Sequence, residues 1–143
     1  MPEKVTGVVF YTIEKAIKTY RKFAQHRIDR AGLGITIDQW LVLDSLKCNE
    51  TISQNKLAEL VFKDVASVTR IIDLLVKKGH LIRSEHPDDR RRFNLKITDS
   101  GKEIIEKVSS IVDENRQLAL SGLDEACVTQ IQSSLDQIIS NCQ

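Results

Sequence analysis

Apolar residues recur at three- and four-residue steps from Val5 to Ile28, through Val8, Val9, Ile13, Ala16, Ile17, Tyr20, Phe23 and Ala24. That spacing predicts a long helix over residues 5–30 with a single apolar stripe, stopped by Gly32 and Gly34. Thr36-Ile37-Asp38-Gln39 has the form of a capping box, in which Thr36 accepts from the helix start and Gln39 reaches back. The helix it opens carries Trp40, Leu41, Leu43 and Leu46 and runs to about Lys47. A polar turn, Cys48-Asn49-Glu50, follows. Ser53 then caps a short helix with Leu57, Ala58, Leu60 and Val61 inward, and Asp64 caps another with Val65, Val68, Ile71, Ile72, Leu75 and Val76 inward. Lys77, Lys78 and Gly79 close that helix, with positive charge at the negative end of its dipole and glycine just beyond. Two short helices joined by a few residues form a helix-turn-helix.

After Gly79 the period shortens. Leu81–Glu85 and Phe93–Ile97 read as short strands joined by the charged turn His86-Pro87-Asp88-Asp89-Arg90-Arg91-Arg92. Thr98 caps a helix in which Ile104, Ile105, Val108, Ile111, Val112 and Leu118 keep helical spacing, broken at Ser121-Gly122. Asp124 caps a last helix with Val128, Ile131, Leu135, Ile138 and Ile139. The fold class implied is mainly α: a winged helix-turn-helix over 35–99 with a small β-hairpin wing. The helices of 1–34 and 100–143 would flank it, all in a single domain of 143 residues.

Those flanking helices change the picture. A core of some 65 residues cannot cover all of their apolar stripes. The uncovered parts, Val5–Val9 and Ile131–Ile139, are expected to pack against a second copy of the chain. A two-fold dimer would set two recognition helices about one DNA turn apart.

Net charge is only +1, yet its distribution is uneven. Residues 63–102 hold ten Lys/Arg against six Asp/Glu, whereas residues 103–143 hold two against seven. A basic middle and an acidic end suit a polyanion-facing part and a part kept away from it. No run approaches the roughly 20 apolar residues of a membrane helix. The N-terminus lacks the basic-then-apolar build of a secretory signal. The expected location is therefore cytoplasmic.

The helix beginning at Asp64 is the candidate recognition helix. Its outward positions are Ala66, Ser67, Thr69, Arg70 and Asp73, small or hydroxylated residues and one long cation, which the major groove admits. Arg90, Arg91 and Arg92 repel one another in a short turn, so they make most sense beside duplex DNA. There a narrow minor groove attracts guanidinium groups, and Asp88 or Asp89 can steady one of them. No nucleophile, base and orienting group converge, and there is no glycine-rich phosphate loop, so an enzyme is not expected.

These residues resemble the MarR family of regulators. The similarity runs from about Thr36 to Ile139. It rests on Leu57-Ala58-Glu59-Leu60, on Val68-Thr69-Arg70-Ile71-Ile72-Asp73 with Leu75 and Lys77-Lys78-Gly79, and on Asp89-Arg90-Arg91 followed after five residues by Ile97-Thr98. The resemblance implies a homodimer on a pseudo-palindromic operator, acting as a regulator, most simply a repressor. It implies major-groove or phosphate contacts from Ser67, Thr69 and Arg70, and a minor-groove Arg91 held by Asp89. Gln54 and Lys56 would touch phosphate from the supporting helix. One departure stands out: between the two helices the family often has glycine and then an apolar residue, and this chain has Phe62-Lys63. Phe62 is expected to pack inward.

Relatives often release DNA on binding a small aromatic or phenolic effector. Tyr11, Tyr20, Phe23, His26 and Trp40 are the candidates to line such a pocket, against the alternative that they simply pack the core and interface. His26, His80 and His86 are too scattered for a metal site, and no cofactor is expected. Cys48, Cys127 and Cys142 form no C-x-x-C pair, and none lies in the first helix, where peroxide-sensing relatives carry theirs. Two other readings stay open, a winged helix that binds protein and a thiol-based redox sensor.

Overall fold

The computed structural model of the chain describes residues 7–86 and 89–143; for residues 85, 86 and 89–93 the description is of the backbone alone. Val5, Pro87 and Asp88 lie outside it, as do the side chains of Asp89, Arg90, Arg91 and Arg92. Six helices and one hairpin are described: α1 (Val9–Arg30), α2 (Ile37–Cys48), α3 (Gln54–Leu60), α4 (Val65–Lys77), β1 (Leu81–His86), β2 (Asp89–Ile97), α5 (Asp99–Ala119) and α6 (Glu125–Asn141).

Five of the helices begin on the side-chain cap expected of them, because the first N–H groups of a helix have no partner within it. Thr36 Oγ1 accepts from Gln39 N at 3.1 Å, and Gln39 Oε1 accepts from Thr36 N at 3.2 Å, closing the capping box. Ser53, Asp64, Thr98 and Asp124 accept from the amides of Lys56, Ser67, Gly101 and Cys127. At the other end of α4, Gly79 takes φ +83°. Its N–H donates to Val76 O and the N–H of His80 donates to Leu75 O, the paired bonds of a Schellman stop.

The core is one cluster with α2 at its centre, packed on α1, α4, α5 and β2. Ile28 of α1, Val42, Leu43 and Leu46 of α2, Val68, Ile72 and Leu75 of α4, Leu81 of β1 and Ile105 and Val108 of α5 are essentially without solvent contact. Each such aliphatic side chain stabilises the fold by about 1.5–3 kcal/mol through burial. Leu60 and Val65, expected inward, are instead exposed. The stripe that α3 buries is Leu57, Ala58 and Val61, which leaves Leu60 on its flank. Val65 is the first residue of α4, one turn beyond its outermost core contact at Val68.

The hairpin is antiparallel, pairing Leu81 with Ile97 and Glu85 with Phe93, and then His86 with Asp89. Three residues of β2, Arg90–Arg92, therefore stand between two consecutive partners on β1. The arginine run, expected in the turn, belongs to the strand backbone as an inserted bulge. α6 has no buried residue, and Val9, Phe10 and Ile17 of α1 are exposed.

Candidate nucleic-acid interface

The candidate site is the exposed face of α4 with the elements that orient it. Asp64 anchors the helix start. Its carboxylate accepts from Ser67 N at 2.7 Å. Hydrogen bonds from Ser67 hold this carboxyl below its ordinary range, with a smaller contribution from the charge of Arg70. Arg70 is exposed one turn on, and its Nη2 donates to Ser67 Oγ at 3.2 Å. Ser67 and Arg70 thus form one polar unit beside the exposed Ala66.

Thr69 is used differently. Its hydroxyl lies 2.9 Å from Val65 O and 3.3 Å from Gln54 Oε1, so it ties α4 to α3. Gln54 is only half-exposed, and its Nε2 is buried without a partner. A hydroxyl has one proton to give. A carboxamide turned to present its NH2 to Thr69 would complete a chain from Gln54 through Thr69 to Val65. Lys56 is exposed and lies 3.8 Å from Glu59. The structure therefore brings Ser67 with Arg70 and Gln54 with Thr69. The side chains of Asp89, Arg90, Arg91 and Arg92 fall outside the described residues.

The turn between α3 and α4 follows the same plan as the stop after α4. Lys63 N donates to Ala58 O at 3.0 Å and Phe62 N to Glu59 O at 3.3 Å, again the two bonds of a Schellman motif. Such a motif needs a left-handed residue at its penultimate position, and Phe62 supplies it with φ +58°. Phe62 does not pack inward; it is 90% exposed. Lys63 does turn inward and pairs with Asp38 Oδ2 at 3.2 Å. Asp38 also holds Arg21 of α1 through its other oxygen. This Arg21–Asp38–Lys63 triad joins α1, α2 and the turn that aims α4. Sequence spacing gave no sign of it, since its members lie 17 and 25 positions apart.

The proposed effector residues separate into three environments. Tyr20 and Phe23 line a cleft of about 580 Å³ between α1 and α5, with Thr12, Ala16 and Leu118. Trp40 is buried in the core and donates its indole N–H to Ser109 Oγ at 3.2 Å. Tyr11 and His26 are exposed and do not line that cleft. Among the described residues no three of His, Cys, Asp and Glu cluster as metal ligands. No described helix is long and apolar enough to cross a membrane. All three cysteines are free and exposed.

Residues 35–93 match the MarR family model. The chain is 30% identical over 104 residues, 72% of its length, to the HTH-type transcriptional regulator SarZ of Staphylococcus epidermidis. It spans 58% to 66% of the length of the curated relatives it matches. Among solved structures it is similar to BpsR of Bordetella bronchiseptica, whose DNA binding is described as regulated by 6-hydroxynicotinic acid. That likeness has a TM-score of 0.86 and 22% identity over 96% of this chain and 97% of that one. It is also similar to a mutant MarR of Escherichia coli complexed with operator DNA, with a TM-score of 0.83 and 24% identity over 95% and 99% of the two chains. The winged helix-turn-helix architecture, the motifs in α3, α4 and β2, and these similarities lead to one assignment: the chain belongs to the MarR family of transcriptional regulators.

Proposed function

We propose that this protein is a homodimeric regulator that binds duplex DNA at a pseudo-palindromic operator and represses transcription from it. The observation that carries the reading is the α4 face. A capped helix places half-exposed Ser67 and exposed Arg70 at its N-terminal end, where a recognition helix meets base edges. Lys56 on α3 suits a phosphate contact, and Gln54 and Thr69 a supporting role with phosphate within reach. The three arginines inserted into β2 suit the neighbouring minor groove, with Asp89 steadying Arg91. The operator complex of the similar MarR structure lends support to this partner.

The dimer reading rests on uncovered apolar surface. Val9, Phe10 and Ile17 on α1 and Leu118, Leu123, Ile131 and Ile139 on and around α5 and α6 are all exposed. A second copy would bury them. The cleft lined by Tyr20 and Phe23 beside that surface is a fitting place for a small aromatic effector.

Fluorescence anisotropy with duplexes selected from a random pool tests the reading. Affinity should fall steeply with salt as counterions are released. Arg70→Ala should weaken selected duplexes by roughly tenfold to a hundredfold, the loss of one base or phosphate contact, while the dimer stays intact. Equal affinity of Arg70→Ala and the parent chain would remove α4 from the interface.

A further inference from the structure

The turn that introduces α4 has its polarity reversed. A charged residue, Lys63, faces inward onto Asp38, and an aromatic one, Phe62, faces out. The inward lysine is compensated by its ion pair, but the outward ring does not help the isolated fold. The left-handed region is costly for a residue with a Cβ and free for glycine. A ring that is 90% exposed gains almost nothing from burial in return. The Arg21–Asp38–Lys63 triad nevertheless fixes the turn in this form, so the ring is held outward rather than left to find a pocket.

We infer that Phe62 is an additional DNA-contacting residue, whose ring packs on the deoxyribose of the backbone at the rim of the major groove. The inference rests on the DNA-binding reading above and adds to it a contact of apolar kind. Three observations select this occupant. Phe62 stands two residues before the Asp64 cap of α4, so it borders the end of the helix from which Ser67 and Arg70 project. Among the described residues its exposed large hydrophobic neighbours along this part of the chain are Leu60 and Val65, with the small Ala66 beyond. A patch of so few residues is far smaller than the roughly 20–30 per side of a stable protein interface. It is the right size for one sugar. The charges around it, Lys56 paired with Glu59 on one side and Asp64 engaged as a cap on the other, leave the ring as the projecting group.

The variants Phe62→Gly and Phe62→Tyr test this in the full chain, by anisotropy against a selected duplex and an unrelated one at several salt concentrations. Phe62→Gly keeps the turn, since glycine accepts the left-handed conformation, and loses the ring. It should bind both duplexes about fivefold to tenfold more weakly, with the slope of log affinity against log salt unchanged, because no phosphate contact is lost. Phe62→Tyr keeps the ring and should bind like the parent. Phe62→Gly binding as tightly as the parent would overturn the inference and leave the patch to some other partner. A changed salt slope would overturn it too, by assigning the effect to phosphate contacts. If the parent chain itself showed no salt-sensitive duplex binding, the DNA-binding reading would fail rather than the role of Phe62 within it.

Discussion

Replacing Gly101 by alanine sets two well-understood effects against each other. Gly101 lies in the first turn of α5, where alanine is the better helix former by up to about 1 kcal/mol. On propensity alone the variant should be more stable. The packing says otherwise. A Cβ at Gly101 would lie well inside contact distance of the His80 carbonyl oxygen, 2.8 Å from Ile97 Cγ2 and 3.2 Å from the His80 carbonyl carbon. That carbonyl is not free to retreat. It accepts from Thr98 N at 3.1 Å, while Thr98 Oγ1 donates to Gly79 O at 2.7 Å and accepts from Gly101 N at 3.0 Å. The end of α4, the hairpin and the start of α5 are therefore knotted at one point. Overpacking of this kind costs about 1–3 kcal/mol, and a weakened hydrogen bond about 1 kcal/mol more. Set against the propensity gain, the net loss is about 2 kcal/mol. For a chain of 143 residues the unfolding entropy makes that a fall in Tm of roughly 6 °C. Circular dichroism melts at matched protein concentration read it directly, the matching being needed because the Tm of the proposed dimer would depend on concentration. An unchanged or raised Tm would show that the joint yields freely and that the geometric argument is wrong.

Two further outcomes follow from the same contacts. Asp38→Asn removes both ion pairs of the triad; with side chains 28% to 42% exposed, solvent screening leaves them about 1–2 kcal/mol together, so Tm should fall by a few degrees in dilute buffer, and an undiminished gap in 1 M salt would exclude the electrostatic origin. His80 is held below its ordinary pKa of 6.5, first by burial and then by the charge of Lys78. The unfolded chain therefore takes up its proton before the folded one, and the stability this group contributes is present above about pH 6.5 and is lost as the pH falls below it. In His80→Gln the difference in Tm between pH 7.5 and pH 5.5 should shrink, and an identical difference would show that His80 does not drive that slope.

What the chain spells out locally, it spells out well. Thr36, Ser53, Asp64, Thr98 and Asp124 each cap the helix expected of them, because a cap needs only a short side chain and the amide three residues on. The hairpin was legible from its period, with Leu81, Leu95 and Ile97 buried on one face. The length of β2 was not, since a run of three arginines just after turn-forming residues reads as turn, and only pairing with β1 makes it strand. Gly101 gave no signal either, because the need for glycine arises from the His80 carbonyl, 21 positions earlier in the chain. Of the candidate face, the outward placing of Arg70 near the start of α4 was legible. Whether Thr69 faces out or binds α3 depends on where Gln54 lies in space, and no periodicity encodes that.

The exceptions carry as much meaning as the agreements. A sequence specifies one fold when local preference, pattern and packing concur, and departures concentrate where something else is being served. Here caps, periods and core concur through α2, α4, α5 and the base of the hairpin. They part company at Phe62, an aromatic residue placed where the backbone wants glycine, and at Arg90–Arg92, three like charges crowded into a strand. One lies just before α4 and the other in the hairpin just after it. Selection for stability alone would remove both, by glycine at the first and by a mixed or shorter run at the second. A polyanion with apolar sugars along its rim, the partner proposed above, would compensate the two at once, charge against the arginines and carbon against the ring. Two local costs that flank the same helix, each relieved by the same partner, argue for that partner more strongly than either motif does alone.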